Sequence, residues 1–423
     1  MTVEIRSMAL RARSAGRALG LAPSETRNAA LLEIAQRLEA IDDSLMEANR
    51  ADIAEATEAG LSPALLDRST LNPARIQAMI AGCRDVAALP DPLGQLFDGS
   101  TLGNGLQIAK KRVPLGVMGV IYESRPNVTV EISALGIKTG NSVILRGGRE
   151  VLRTNQVLVQ LIREACANAG LPEDAVQLIH STDRALVPEL LGMDDMIDLV
   201  IPRGGTGLQN LVKQHARMPV VYGGIGVCHL YFDATADLER SLPLINNAKT
   251  QAPSVCNALD TVLVHRDRVC DLMPAMVADL TAAGVRILCD EASLAALGDG
   301  ATDNDLVAAA TDDDYGQEFL GLTLSVKVVD SLDEAVNHIA TYGTAHSDGI
   351  LTNDYANATR FLDVVDSAAV YVNASTRFTD GGQFGLGAEV AISTQRMHAR
   401  GPLGLQELTT YKWIIQGDYT VRG

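Results

Sequence analysis

The sequence predicts an α/β fold with two doubly wound parallel sheets and a small additional strand element. From residue 113 to residue 232, short unbroken apolar runs alternate with stretches of helical periodicity, and residues 237–372 repeat the pattern. Unbroken apolar strands are buried on both faces, and parallel strands joined by helices provide that burial. The runs lie at 117–123, 143–146, 176–180, 197–202, 220–224 and 228–232 in the first pattern, and at 261–265, 285–290, 324–330, 347–353 and 369–373 in the second.

The segments outside these patterns suggest how the chain is divided. Residues 1–90 are rich in helix-forming residues, and a Pro-Asp-Pro-Leu-Gly stretch then breaks the run. Strand-like runs at both ends of the sheet region belong to neither sheet, and unpaired strands tend to pair with another chain. The predicted domains are 1–104 with 114–236, followed by 237–385, and the predicted oligomerisation strands are 105–113 and 405–423.

Composition argues against several classes of protein. A net charge of −17 disfavours a nucleic-acid groove, which needs clustered Lys and Arg, and it favours solubility. The six cysteines are scattered and form no C-x-x-C pair, so a zinc site or redox motif is not expected. No apolar run reaches the ~20 residues of a membrane helix, and the N-terminus reads as an amphipathic helix and not as a signal peptide. These features predict a reducing, cytoplasmic setting.

Two strand-to-helix junctions combine glycine with arginine. The first holds Arg146 and Arg149, and the second holds Arg203, Gly204 and Gly205. Ligands of parallel sheets bind at such junctions, where glycine lets a phosphate approach a helix N-terminus. Neither junction matches G-x-G-x-x-G, so plain tight turns are an equal alternative. The arginines favour a phosphorylated ligand, and they suit the 2′-phosphate of NADP better than the ribose hydroxyl of NAD.

Three residues allow both a structural and a functional interpretation. Cys256 follows a Pro-Ser turn and precedes Asn257, a polar setting that suits a nucleophile, although most cysteines outside disulfides are buried fillers. Asn127 is either a helix cap or an amide donor. His346 lies in a loop that enters a strand, where a histidine is more often structural than functional.

Four stretches of the sequence resemble the aldehyde dehydrogenase superfamily, and within it the branch that reduces an acyl phosphate. They are residues 61–79, 112–129, 253–265 and 329–350, and the likeness extends over nearly the whole chain. The resemblance implies an aldehyde dehydrogenase-like fold. In that fold the first domain binds the cofactor, the second carries the nucleophile, and the outlying strands build the oligomer.

The resemblance also assigns roles to individual residues. Cys256 falls at the position of the nucleophilic cysteine, and Asn127 at that of an oxyanion-stabilising amide. Glu318 matches an acid that binds the nicotinamide ribose, and Arg146 matches a lysine that contacts the adenine ribose. Arg149 stands where NAD-preferring relatives carry an acid. These assignments imply that the cofactor is NADPH.

One departure from the superfamily indicates the type of reaction. Hydrolytic relatives carry a glutamate base where this chain has Tyr222, so hydrolysis of an acyl-enzyme is not expected. The resemblance implies that Cys256 attacks L-glutamyl 5-phosphate, that phosphate leaves, and that hydride from NADPH gives L-glutamate 5-semialdehyde, the second step of proline biosynthesis from glutamate. No metal is required. The alternatives are an aldehyde-oxidising or CoA-linked activity, and a non-catalytic binding protein on the same scaffold.

Chemistry and position alone suggest which residues bind the substrate. Its α-carboxylate needs a cation, for which Arg125 and Arg377 are candidates, while His346 and Ser347 are candidates for the phosphate or the amino acid end. The expected partners are this small-molecule substrate, a second copy of the chain in a homo-oligomer, and glutamate 5-kinase, which makes the unstable acyl phosphate. Neither nucleic acid nor membrane is expected as a partner.

Overall fold

A computed structural model describes residues 4–41, 43–298 and 300–422, which form two compact units. Unit 1 comprises the described residues up to Tyr222, together with Gly385–Ala391 and the residues from Leu403 onward. Unit 2 comprises Gly223–Phe384 and Ile392–Pro402.

Unit 1 combines an N-terminal helical region with a parallel sheet. Its amphipathic first helix buries Ile5, Met8, Ala12 and Leu19, as the N-terminal pattern predicts. The sheet has four strands in the order β5-β4-β3-β6, and every residue of β3 is buried. The elements are α1 (Ile5–Leu21), α2 (Ser24–Glu39), α3 (Ser44–Glu58), α4 (Pro63–Ser69), α5 (Pro73–Ala88), β1 (Leu96–Thr101), β2 (Gln107–Pro114), β3 (Val117–Tyr122), α6 (Pro126–Lys138), β4 (Ser142–Arg146), α7 (Leu152–Asn168), β5 (Val176–Leu178), α8 (Leu186–Leu191), β6 (Leu199–Arg203) and α9 (Thr206–His215).

Unit 2 is built around a second and larger parallel sheet. Its seven strands follow the order β10-β9-β11-β8-β7-β12-β13. Apolar residues of the strands and of the covering helices form its core, among them Leu230, Val262 and Val326, all fully buried. The elements are β7 (Cys228–Phe232), α10 (Leu238–Thr250), β8 (Leu259–His265), α11 (Val269–Ala282), β9 (Arg286–Cys289), α12 (Glu291–Leu297), β10 (Val307–Ala309), β11 (Thr323–Val329), α13 (Leu332–Tyr342), β12 (Ser347–Leu351), α14 (Tyr355–Val364), β13 (Ala369–Val372), β14 (Ile392–Ser393) and β15 (Gly401–Pro402).

The boundary between the units differs from the predicted one. The division falls after Tyr222 and not after residue 236, because β7 pairs with β8 and β12 in the sheet of unit 2. The apolar run at 220–224, which predicts a strand, is reduced to two isolated bridges, a parallel one between Val200 and Val220 and an antiparallel one between Gly223 and Ser393. Apolar composition alone does not reveal how much of a run finds a strand partner.

A separate antiparallel sheet belongs to unit 1. It consists of β1, β2 and β16 (Thr409–Gln416), in that order. The second and third of these are the predicted outlying strands, and β1 adds a partner that the sequence did not indicate. Lys110 Nζ lies 4.6 Å from the ring centroid of Tyr411 and 5.2 Å from that of Trp413, and both rings are exposed. The sheet therefore presents an aromatic surface to solvent.

Among the described residues, no helix combines the length and apolar character needed to cross a membrane. The six cysteines, all in the described part of the chain, form no disulfide bond.

Candidate active site

Unit 1 contains a cavity of about 540 Å³ at the carboxyl ends of its parallel strands. Its lining includes Glu123 after β3, Arg146 and Arg149 at the end of β4, Arg184 after β5 and Leu208 on α9. This is the edge of an open parallel sheet at which ligands bind. The first glycine-arginine junction therefore borders a cavity, as its composition predicts.

Three arginine side chains line this cavity, and they differ in burial and in their hydrogen bonds to the protein. Arg146 donates to the carbonyl oxygens of Gly147 at 3.2 Å and Thr182 at 3.5 Å, and burial lowers its pKa. Arg149 and Arg184 are exposed, and within the described residues neither side chain forms a hydrogen bond or an ion pair. Arg146 is thus held by the protein, whereas Arg149 and Arg184 are available to an anionic ligand. The sequence analysis did not single out Arg184.

The second glycine-arginine junction lies at the same sheet edge. Gly205 precedes α9, and its N–H donates to Glu123 Oε2 at 3.3 Å. The α9 residues that line the cavity are Gly207, Leu208 and Leu211. A carboxylate thus already occupies the helix N-terminus at which Gly204 and Gly205 were expected to receive a phosphate.

The turn between β3 and α6 is conformationally strained. Ser124 has a φ of 44°, in the left-handed region that costs a non-glycine residue about 1–3 kcal/mol. Glu150 stabilises this conformation, since its Oε1 accepts from both the N–H and the hydroxyl of Ser124 at 2.7 Å. The turn leads directly into Arg125 and Asn127.

Asn127 is not the cap of the helix that it enters. Arg125 holds the N-cap position of α6, and Asn127 lies inside the first turn. Its side-chain amide donates to Glu131 Oε1 at 2.7 Å. The alternative that Asn127 caps the helix is therefore wrong, and its role as an oxyanion donor stays a prediction.

In unit 2, the residues of interest lie at the amino ends of four neighbouring strands. Glu318 comes before β11, Cys256 before β8, Gly226 before β7 and His346 before β12. These strands are adjacent in the order β11-β8-β7-β12. The sheet thus gathers four segments that are far apart in the sequence.

Cys256 is partly exposed, and its backbone rests on the segment that precedes β7. Cys228 Sγ donates to the Cys256 carbonyl oxygen at 3.3 Å. A Cβ added to Gly226 would lie 1.5 Å from the same oxygen, so only glycine allows this approach. Gly226 and Cys228 form the support beneath the candidate nucleophile, and the sequence analysis missed both.

We predict that Gly226→Ala displaces the Cys256 peptide and lowers kcat/KM by about 10²-fold, because small displacements of a reacting group have large kinetic effects. Gly321→Ala is a matched control, since its added Cβ would meet nothing closer than Phe319 O at 3.6 Å. Steady-state kinetics on both variants test this. Wild-type kcat/KM in Gly226→Ala would show that the close approach has no catalytic importance.

The loop of residues 375–379, after β13, holds the other side of the Cys256 segment. Asn257 Nδ2 donates to the carbonyl oxygen of Thr379 at 2.8 Å, and Thr376 Oγ1 donates to the carbonyl oxygen of Asn257 at 2.7 Å. Arg377 is partly exposed, and its Nε donates to Gln251 Oε1 at 3.0 Å. Burial lowers the pKa of Arg377, while Asp380 and then Cys256 favour its charged form. The structure thus brings Arg377 and Cys256 into one electrostatic environment.

His346 and Ser347 occupy a different place from the one expected. Both side chains are fully buried. His346 Nδ1 lies 2.8 Å from Ser347 Oγ, which lies 2.6 Å from Thr379 Oγ1. Burial lowers the pKa of His346 to about 4, so the imidazole is neutral at pH 7. The expectation of direct contact with substrate is corrected: these residues anchor the loop at Thr379 and offer no accessible cation.

Glu318 is partly buried next to this support. Its Oε1 accepts from the N–H of Gly226 at 2.9 Å, and burial raises its pKa. Glu318, which the resemblance predicts to bind a ribose, therefore also binds the segment that supports Cys256.

Tyr222 is the last residue of the first segment of unit 1 and is partly buried. The ring centroid lies 5.4 Å from Lys213 Nζ, and burial raises the pKa of the phenol. The group that replaces the glutamate of hydrolytic relatives is therefore a protonated phenol at neutral pH, and it is not a base.

Comparison with known proteins identifies the family. The aldehyde dehydrogenase family matches residues 2–296. A gamma-glutamyl phosphate reductase of Roseiflexus castenholzii is 53% identical over 420 residues, which cover 99% of each chain, and one of Escherichia coli is 51% identical over 418 residues. The chain belongs to the gamma-glutamyl phosphate reductase group of the aldehyde dehydrogenase family. Members of that family are oxidoreductases that use a nicotinamide cofactor, which confirms the predicted class of enzyme.

Solved structures confirm the predicted fold. The crystal structure of gamma-glutamyl phosphate reductase from Thermotoga maritima has a TM-score of 0.96 at 46% identity and covers 100% of both chains. Propionaldehyde dehydrogenase from Rhodopseudomonas palustris, a structure with bound CoA and an acylated cysteine, has a TM-score of 0.70 at 15% identity and covers 97% of this chain and 96% of its own. At that identity the second likeness concerns the fold alone.

The described residues contain no group of His, Cys, Asp and Glu side chains arranged to hold a metal ion.

Proposed function

We propose that this protein reduces L-glutamyl 5-phosphate to L-glutamate 5-semialdehyde with NADPH, through a thioester on Cys256. The observation that carries the proposal is a partly exposed cysteine held from below by Gly226 and Cys228 and from the side by the 375–379 loop. Its full-length relatives are named for this reductase activity.

The residues of unit 2 suggest how the acyl group is handled. The Cys256 sulfur attacks the acyl carbon, the carbon–oxygen bond to phosphate breaks, and inorganic phosphate leaves with the electron pair. A thiolate is the reactive form of cysteine, and Arg377 provides a nearby cation that favours it. Release of the aldehyde breaks the carbon–sulfur bond and restores the thiol. The oxyanion role of Asn127 is retained in this proposal on the basis of the resemblance.

The unit 1 cavity fits the phosphorylated part of a nicotinamide cofactor. It has the volume of a small-ligand site and presents Arg149 and Arg184 without protein partners among the described residues. Arg146 is also proposed to bind the cofactor. Gly204 and Gly205, which lie outside the cavity lining, are retained from the sequence pattern, and Glu318 of unit 2 is proposed for a ribose hydroxyl on the basis of the resemblance. NADPH, when bound, supplies the hydride. The 2′-phosphate is the feature that the arginines recognise best, because a guanidinium can bind phosphate through two parallel hydrogen bonds.

Arg149→Glu is predicted to weaken NADPH binding by about tenfold or more and to affect NADH far less. The lost contact is charge-assisted, worth about 1.5–3 kcal/mol, and the new carboxylate repels the phosphate. Dissociation constants from cofactor fluorescence titrations measure both effects. Arg203→Glu is a control, because Arg203 ends β6 at the same sheet edge outside the cavity lining. An unchanged NADPH-to-NADH ratio in Arg149→Glu would move the discrimination to another group.

Cations are also proposed for the α-carboxylate of the substrate. Arg377 is favoured, because it shares its surroundings with Cys256. Arg125, the N-cap residue of α6, remains a second candidate.

The remaining partners and the location are proposed from the surface of the antiparallel sheet and from the cysteines. Exposed aromatic side chains on the β1-β2-β16 sheet support a homo-oligomer in which this sheet pairs with a second copy. Six cysteines without a disulfide suit the cytoplasm. A contact with glutamate 5-kinase would shorten the path of an unstable acyl phosphate.

The reverse reaction tests the function. L-Glutamate 5-semialdehyde, inorganic phosphate and NADP⁺ should produce NADPH, followed by its absorbance. Glutaraldehyde and propionaldehyde at equal concentration should react far more slowly. Equal rates with CoA in place of phosphate would favour the CoA-linked alternative instead.

A further inference from the structure

Asp260 is a buried acid that the reaction outlined above does not use. It is the second residue of β8, close to Cys256 in the sequence, and 2% of its surface is exposed. An acid is costly to bury in a strand unless it has strong partners. Its partners therefore indicate why it is there.

Both oxygens of Asp260 accept from the backbone of neighbouring segments. Oδ2 accepts from the N–H of Cys228 at 3.4 Å, and Oδ1 accepts from the N–H of Phe319 at 3.2 Å. The carboxylate thus joins the strand that follows the nucleophile to the first residue of β7 and to the segment that precedes β11. Few other side chains could accept from both N–H groups at once. The acceptor must lie on the strand between β7 and β11, and that strand is β8.

These contacts close into a ring around Cys256. Cys228 and Gly226 support the Cys256 carbonyl group. The Gly226 N–H is bound by Glu318, whose neighbour Phe319 is bound by Asp260. Loss of the Asp260 acceptor would release two sides of the ring together.

Lys249 provides the opposite charge. It is fully buried on α10, its Nζ lies 3.7 Å from Asp260 Oδ1, and it donates to the carbonyl oxygen of Leu259 at 2.8 Å. Glu318, before β11, and the Cys228 thiol, on β7, are the other titratable groups that act on Asp260. Burial raises the pKa of the Cys228 thiol well above its usual value, so it carries no charge near neutral pH.

We propose that Asp260 is a positioning residue for Cys256, and that its ionised form is needed to hold the Gly226–Cys228 and Glu318–Phe319 segments against the nucleophile. The proposal rests on the function proposed for Cys256. A protonated carboxyl group loses acceptor strength toward the two N–H groups, so the ring loosens in acid.

The pH range of this effect follows from the surroundings of Asp260. Burial raises its pKa to about 6, against the opposing attraction of Lys249. Because the pKa is raised, the carboxyl group is protonated below about pH 6 and ionised above it in the folded protein. Correct positioning is therefore expected above about pH 6 and is lost as the pH falls through that value.

Alkylation of Cys256 measures positioning without any substrate. The rate of modification by iodoacetamide, followed at the Cys256 peptide by mass spectrometry, should fall tenfold per pH unit below the thiol pKa. In the wild type the dependence should steepen toward a hundredfold per pH unit below about pH 6, since two groups must then lose a proton. In Asp260→Asn the extra steepness should vanish, and the rate at pH 8 should be about tenfold lower.

Asp233→Asn is the matched control. Asp233 is also buried, at 1% exposure, and accepts from Thr352 Oγ1 at 2.7 Å, but it follows the carboxyl end of β7. It should keep the wild-type rate and pH profile. Two outcomes would overturn the proposal: a wild-type pH profile that does not steepen below about pH 6, or the same steepening in Asp260→Asn as in the wild type. The first outcome is measured on the wild type alone, so the proposal can be tested even if Asp260→Asn does not fold. Failure of the reverse assay would instead affect the proposed function.

Discussion

Cys256→Ala should abolish turnover while leaving the fold and NADPH binding intact. The thiol is partly exposed, and its methyl replacement removes the nucleophile without disturbing the carbonyl contacts of Gly226 and Cys228. Loss of a covalent nucleophile costs on the order of 10⁴-fold or more in kcat. Cys256→Ser should be nearly as inactive, because an unactivated hydroxyl is a much weaker nucleophile than a thiolate. Initial rates in the reverse assay, with circular dichroism and NADPH titration, measure both variants.

Labelling by iodoacetamide gives an independent measurement of the same residue. Burial raises the pKa of Cys83, Cys166 and Cys289 to about 12, so these thiols should not react. Cys270 is exposed on α11 and is the appropriate control, since Cys270→Ala should remove one label and leave activity unchanged. Activity that survives in Cys256→Ala, or persists after complete labelling of Cys256, would exclude the covalent route.

Much of the sheet architecture can be predicted from the sequence because burial imposes a readable pattern. β3, β4, β7, β8 and β11 are short strands in which most residues are buried, and each overlaps a predicted run. Pairing is harder to foresee. Residues 96–101, of which only Leu96 and Phe97 are apolar, form β1 because β2 pairs with them, whereas the apolar run at 220–224 forms only two isolated bridges. Register and partners depend on tertiary structure, which local composition does not encode.

The candidate site is predictable only where its chemistry is local. The polar turn at Cys256 and the arginines after β4 are visible in short stretches. Gly226, Cys228 and Asp260 become meaningful only when the order β11-β8-β7-β12 brings their segments together. Asp260 directly precedes the predicted run at 261–265, and nothing in the sequence marks it as part of the buried strand. No signal in the sequence distinguishes the buried His346 from an accessible one either, because burial is decided by distant residues such as Thr379.

The candidate residues lie at the carboxyl ends of the strands in the sheet of unit 1 and at the amino ends of the strands in the sheet of unit 2. In unit 1 the cavity lies at the carboxyl ends of the strands, where helix N-termini favour phosphate. In unit 2 the support of Cys256 lies at the amino ends, and side chains such as Asp260 and Glu318 bind the N–H groups there. An anionic ligand at the second edge therefore requires cations from loops. Arg377, on the loop that clamps Asn257, meets that need.

NADPH formation in the reverse direction should depend almost completely on inorganic phosphate. Oxidation of the semialdehyde leaves the acyl group on Cys256, and release to water needs a base that activates a water molecule. The position used by hydrolytic relatives holds Tyr222, whose pKa is raised by burial, so no carboxylate acts there. We expect turnover in phosphate-free buffer at about 1% or less of the phosphate-supported rate, since general base catalysis contributes about 10²–10⁴-fold. Arsenate should substitute for phosphate.

Variants at Tyr222 separate the missing base from other causes of slow hydrolysis. Tyr222→Phe keeps the ring that lies near Lys213 and should leave the phosphate dependence unchanged. Tyr222→Glu introduces a carboxylate and should raise the phosphate-free rate if that group reaches a water molecule at about 3 Å. The measurement is the rate of NADPH formation without phosphate divided by the rate with phosphate. Both rates are taken after the initial burst, whose amplitude gives the number of acylated sites. A wild-type ratio near one would mean that another base activates water to hydrolyse the thioester. The proposed reductase would then lose its mechanistic basis, because an acyl-enzyme that reacts with water yields the acid and not the acyl phosphate.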